Sequence, residues 1–129
     1  MPEQFSGSQP IYLQLVQRVC RQIIRKEFPP GGKLPSVREL AVQFGVNPNT
    51  VQRVNMELER MGIVESRRGQ GMFVTEDESL LTRLRDELKE GELKRFAEEM
   101  RDLGYSNEQI IENVQKFLKL NEGLSEERK

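Results

Sequence analysis

The sequence predicts a mainly α protein with a small β-hairpin, in which three N-terminal helices are closed by the hairpin and a C-terminal two-helix segment follows. Three observations predict it. Apolar residues recur at three- and four-residue spacing in five stretches. Two short runs rich in apolar residues, Ile63-Val64-Glu65-Ser66 and Met72-Phe73-Val74-Thr75, flank Arg67-Arg68-Gly69-Gln70-Gly71. The charge changes sign after Thr75: residues 1–75 hold ten Lys/Arg against six Asp/Glu, and residues 76–129 hold ten against fifteen.

Pro10 to about Glu27 forms the first helix, with Ile11, Tyr12, Leu15, Val16, Val19, Cys20, Ile23 and Ile24 on one stripe. Cys20 lies inside that stripe and reads as a small buried core residue. Phe28-Pro29-Pro30-Gly31-Gly32 ends the helix, and Lys33-Leu34 suggests a very short strand. Ser36-Val37-Arg38-Glu39 fits a capping box, and Val37, Leu40, Ala41 and Phe44 give a helix of about two turns. Gly45-Val46 is the turn. Asn47 is a good N-cap and Pro48 suits the first helical position, so the third helix runs from Pro48 to about Met61.

Two short helices around a tight Gly-containing turn make a helix-turn-helix unit, whose second helix can enter the major groove of DNA. A plain helical core pair without a ligand has the same pattern. The third helix favours DNA, because Val51, Val54, Leu58 and Met61 define an inward stripe while Asn49, Gln52, Arg53, Met56 and Arg60 point away. Asn, Gln and Arg can each make two hydrogen bonds to one base edge. Thr50 lies on the flank, where its hydroxyl suits a phosphate, and a hairpin with Arg67 and Arg68 at its tip forms a wing able to follow phosphates or enter the minor groove.

Composition narrows the chemistry further. With 36% hydrophobic and 32% charged residues, the 129-residue chain has a lean core and little room for an enclosed catalytic chamber. Zero His and one Cys remove the commonest general base, His-containing metal sites, thiolate zinc clusters and an internal disulfide. No enzyme, metal or cofactor is expected. No apolar stretch approaches the ~18 residues of a membrane span, and Met1 to Pro10 lacks a secretory pattern, so the expected location is cytoplasmic.

The strings Pro10-Ile11-Tyr12, Leu34-Pro35-Ser36-Val37-Arg38-Glu39-Leu40-Ala41, Val46-Asn47-Pro48-Asn49-Thr50-Val51-Gln52-Arg53, Glu57-Leu58-Glu59 and Gly69-Gln70-Gly71-Met72-Phe73-Val74 resemble the winged-helix domain of GntR-type bacterial transcription regulators. The Asn-Pro-Asn-Thr-Val string and the short tail resemble the YtrA subfamily. This resemblance implies phosphate contact at Arg38, DNA contact at Asn47, Asn49 and Thr50, and wing-tip contact at Arg68 and Gly69. Many relatives carry a base-reading Arg where Gln52 stands, and Arg53 matches the subfamily pattern instead. Val54-Asn55 departs from the subfamily, where Ala-Tyr is common.

The acidic half begins at Glu76. Leu80, Leu81, Leu84, Leu88, Leu93, Phe96, Met100 and Leu103 predict a helix from about Ser79 to Asp102, with Gly91 its weak point and Gly104 its end. Ser106 and Gln109 form a second capping box, opening a helix with Ile110, Ile111, Val114, Phe117 and Leu118 that extends to about Leu120. Two helices cannot bury so many apolar residues alone, which predicts homodimerisation through Leu81, Leu84, Leu88, Phe96, Met100, Ile110, Val114 and Phe117. A hairpin packed on its own chain is the alternative.

The expected organisation is therefore a flexible arm at residues 1–8, a winged helix-turn-helix domain at 9–75, a helical dimerisation segment at 76–120 and a frayed tail at 121–129. The expected function is sequence-specific binding of double-stranded DNA by a homodimeric transcription regulator, with repression the expected sign and a palindromic operator the target. Base reading falls to Asn49, Gln52 and Arg53, phosphate anchoring to Arg38, Asn47 and Thr50, and wing contact to Arg67, Arg68 and Gly69. A small-molecule effector is left open, although about 45 C-terminal residues leave little room for its pocket. The rival reading is a winged-helix module whose third helix binds protein.

Overall fold

The structure, a computed structural model, describes residues 9–127, with side chains described through residue 122. The flexible arm expected at residues 1–8 lies outside the described residues. The elements in chain order are α1 (Ile11–Ile24), α2 (Val37–Phe44), α3 (Pro48–Arg60), β1 (Val64–Arg67), β2 (Gly71–Val74), α4 (Glu78–Asp102) and α5 (Asn107–Glu127). The chain divides into two compact units, residues 1–85 and 86–129.

In the first unit, α3 packs against α1, α2 and β1. Its core joins Leu15, Val19 and Ile23 of α1, Leu40 and Phe44 of α2, Val51, Val54 and Leu58 of α3, and Ile63 and Val74 beside and within the hairpin. Cys20 belongs to this core as expected, and burial pushes its thiol up to about 12, which makes it an apolar packing group at neutral pH.

Local chemistry sets the helix boundaries. In the α2 capping box, the Glu39 backbone N–H donates to Ser36 Oγ at 3.1 Å and the Ser36 N–H donates to Glu39 Oε1 at 2.9 Å. Gly45 ends α2 in the left-handed region at φ 68°, returning its N–H to the helix and swinging the chain toward α3. α1 stops at Ile24, three residues before the expected end, because Lys26 adopts φ 68° and the Glu27 N–H donates back to the Gln22 carbonyl at 3.0 Å.

β1 and β2 are antiparallel, with Val64 opposite Val74 and Arg67 opposite Gly71. The expected strand at Lys33-Leu34 is present as a single bridge from Lys33 to Phe73 on the other edge of β2, supported by Leu34 N–H to Met72 O at 2.8 Å. At the tip, Gln70 N–H donates to Arg67 O at 2.8 Å, and Gly69 holds the positive φ of 77° that the third position of this turn requires.

Asp77 caps α4, accepting from the Ser79 and Leu80 N–H groups at 3.1 and 3.2 Å. Helix α4 is continuous through Gly91, the expected weak point. Leu81 and Leu84, in its opening turns, are buried within the first unit. Both were expected at a dimer interface, and both are buried in the single chain.

In the second unit the α5 capping box is present, with Gln109 N–H to Ser106 Oγ at 3.2 Å and Ser106 N–H to Gln109 Oε1 at 2.9 Å. α5 passes the expected end near Leu120 and runs to Glu127, so residues 121–127 are helical where a frayed tail was expected. No proline follows Leu120, and Gly123 costs only ~1 kcal/mol in a helix interior, too little to stop it alone. An apolar cleft of about 460 Å³ is lined by Phe96 and Met100 of α4 and by Val114, Phe117 and Leu120 of α5.

Candidate nucleic-acid interface

α3 presents the side chains that its periodicity assigns to solvent. Asn49, Gln52, Arg53, Met56 and Arg60 are exposed, Thr50 is half-buried on the flank, and Val51, Val54 and Leu58 are buried. Asn55 is buried as well, a position the sequence left without a role, and its Oδ1 has no hydrogen-bond partner among the described residues.

Asn47 and Arg38 mark the two helix starts of the motif. Asn47 Oδ1 accepts from the Asn49 N–H at 2.8 Å, so its carbonyl oxygen caps α3 while its amide nitrogen keeps its donors for an acceptor outside the protein. Arg38, in the first turn of α2, is exposed, with no ion pair among the described residues. The neighbouring Glu39 is held below the usual carboxylate range, chiefly by the Ser36 backbone N–H, and its carboxylate turns back to the cap.

The four arginines of α3 and the wing stand in four different surroundings. Arg60 donates to both carboxylate oxygens of Glu57, with Nε 2.9 and 3.0 Å away, which lowers the Glu57 pKa and raises that of Arg60. Arg67 pairs with Glu65 at 3.0 Å, its guanidinium carbon 4.0 Å from the centre of the Phe73 ring. Arg68 has neither kind of partner among the described residues and stands exposed beside Gly69, around which there is open space.

Arg53 differs from all of these. Its guanidinium carbon lies 3.8 Å from the centre of the Tyr12 ring at the start of α1. Sequence reasoning assigned Arg53 to the outward face and Tyr12 to the α1 stripe, and nothing in either periodicity indicated that they meet. The only available signal was the aromatic residue at the first turn of α1, which becomes informative once α1 is known to pack on α3.

Comparison with known proteins gives the chain its family. The family model for bacterial regulatory proteins of the gntR family matches residues 11–74, from the start of α1 to the end of the wing. The chain is 47% identical over 117 residues to the uncharacterized HTH-type transcriptional regulator YhcF of Bacillus subtilis (strain 168), covering 91% of this chain and 97% of that protein. This chain belongs to the gntR family. It is also 42% identical over 90 residues to the HTH-type transcriptional repressor YtrA of the same organism, covering 65% of this chain and 69% of that protein.

Among solved structures, a GntR family transcriptional regulator from Listeria monocytogenes superposes with a TM-score of 0.79 at 39% identity, covering 87% of this chain and 98% of that one. The DNA-binding domain of AraR in complex with an operator matches with a TM-score of 0.53 at 30% identity, covering 57% of this chain and 96% of that one. As a gntR-family protein with this winged helix-turn-helix, the chain is a DNA-binding transcription regulator. No described helix is long and apolar enough to cross a membrane, and no group of His, Cys, Asp and Glu among the described residues is arranged to hold a metal ion.

Proposed function

We propose that this gntR-family regulator is a repressor that binds a palindromic operator as a homodimer in the bacterial cytoplasm. α3 lies in the major groove, where Asn49, Gln52 and Arg53 read bases and Arg38, Asn47 and Thr50 hold phosphates. The wing contributes Arg68 and the open backbone at Gly69, with Arg67 bracing the hairpin through Glu65 and Phe73 as well as adding its charge.

The observation that carries the reading is the outward face of α3, polar and cationic, flanked by a wing whose tip offers Arg68, exposed and without an ion pair among the described residues. The dimer is supported by the second unit, where Phe117 is 64% exposed and Leu103 72% exposed. A second copy would cover this surface, with Leu88, Phe96, Met100, Val114 and Phe117 as the contacting residues; Ile110, also expected there, is buried in the single chain. Twofold symmetry then sets two recognition helices about one DNA turn apart, ~34 Å. The repressing sign is supported by the relative YtrA, which is named a transcriptional repressor.

The test compares two arginines on a duplex selected by the wild-type protein from a randomised pool and on a scrambled duplex. Arg53→Ala should weaken binding to the selected duplex by ~1–3 kcal/mol and relax its specificity, whereas Arg38→Ala should weaken both duplexes alike and flatten the salt dependence. Equal effects of the two substitutions on both duplexes would refute the division into base-reading and phosphate-binding residues.

A further inference from the structure

Two guanidiniums on the exposed side of α3 are held by different chemistry. Arg60 is bound by the Glu57 carboxylate through both oxygens. Arg53 has no carboxylate partner among the described residues and rests on the Tyr12 ring at 3.8 Å. Glu57 stands four residues after Arg53, the spacing at which acid and base pair along a helix, yet its carboxylate is engaged by Arg60. An aromatic face therefore stands where an ion pair would otherwise form.

We propose that Tyr12 is a positioning residue for base recognition, its ring holding the Arg53 guanidinium in place while leaving the charge and the hydrogen-bonding edge available to DNA. This rests on the reading that α3 faces the major groove. A guanidinium stacks through the face of its plane, whereas its bonds to guanine O6 and N7 run from the edge within that plane. A ring-held arginine can make both contacts at once. A carboxylate-held arginine has part of that edge occupied and must break an ion pair before it reads a base.

The stack also removes rotamer freedom before DNA arrives, so less is lost on binding. Tyr12 is suited to the task because it is half-buried in the first turn of a helix that packs on α3. The start of α1 is tied down in turn by the Gln14 side-chain amide, which donates to the Gln9 carbonyl at 2.6 Å.

The experiment uses the full-length protein and measures the affinity ratio between a duplex selected by the wild type from a randomised pool and a scrambled duplex at one salt concentration. Tyr12→Leu should lower the ratio about fivefold, Tyr12→Phe should retain it, and Tyr12→Leu should change nothing further in an Arg53→Ala background. In the unsubstituted protein, NMR should find the Arg53 δ-methylene protons shifted upfield by the ring both free and bound to the selected duplex, a measurement that does not depend on any variant folding. An unchanged ratio in Tyr12→Leu while Arg53→Ala lowers it, an equal loss on both duplexes, a loss persisting in the Arg53→Ala background, or unshifted methylene protons would overturn the proposal and leave the DNA-facing reading of α3 intact. An unchanged ratio in Arg53→Ala would overturn that reading, and the role of Tyr12 with it.

Discussion

All the buried apolar side chains among the described residues except Ile110 lie at or before Leu84, while the chain beyond Arg85 exposes Leu93, Phe96, Leu103, Ile111, Phe117, Leu118 and Leu120. Both regions are rich in apolar residues at helical spacing, yet only one encloses them. The first unit has three helices and a hairpin that close around a shared centre. Two helices offer each other one face apiece, so the rest of their apolar surface needs another body. The charge follows the same division, with the self-contained half basic and the open half acidic.

The sharpest way to break this contrast is a pair of leucine truncations. Leu58→Ala, at a fully buried position in α3, should cost ~2–5 kcal/mol of the stability of the first unit in denaturant titration. Leu88→Ala, at a half-buried position of the second unit, should change the stability of the first unit by less than ~0.5 kcal/mol and act instead on association, read by sedimentation. Comparable losses of first-unit stability would mean that the second region shares its core.

A second test moves the chain terminus. A chain ending at Arg85 keeps Leu81 and Leu84 and should unfold cooperatively, sediment as a monomer and bind a selected duplex about a hundredfold more weakly than the full chain, since two linked contacts become one. A chain ending at Asp77 loses both leucines and should also lose much of its thermal stability. A dimer persisting in the chain that ends at Arg85 would remove the second unit from the association.

The smallest effect concerns the caps. Ser36→Ala should destabilise the first unit by ~1 kcal/mol, and Ser106→Ala should leave it unaffected because its capping box lies in the other unit. Glu39 and Asp77 are both held below the usual carboxylate range, Glu39 first by the Ser36 backbone N–H and Asp77 first by the Ser79 hydroxyl. Because the folded values are the lower ones, their stabilisation is present above the ordinary carboxylate range and lost as pH falls through the depressed values. Acid titration of Glu39→Gln should show a shallower loss over that window than the parent, and an identical slope would remove the Glu39 carboxylate as its source.

Much of this molecule can be read along the chain. The Ser36 and Ser106 boxes, the Asn47-Pro48 start of α3 and the glycine-bearing wing each depend on contacts within a few residues, and all appear where those residues stand. The end of α1 was misjudged because a lysine at φ 68° closes it, a conformation that side-chain type seldom announces. Among the site residues, the exposed face of α3 was legible from its stripe. The stacking of Arg53 on Tyr12 was not, and neither was the enclosure of Leu81 and Leu84, because helical period reports which face is apolar without naming what covers it.

The sequence by itself determined the helix starts, the turns, the polarity of each face and the sign of charge in each half, since propensity, capping and periodicity act over a turn or two. Only the tertiary structure decided which leucines of α4 are buried and that Arg53 lies on the Tyr12 ring. Those outcomes depend on residues dozens of positions apart being brought within a few ångströms by the closure of a common core, a distance that no local pattern encodes.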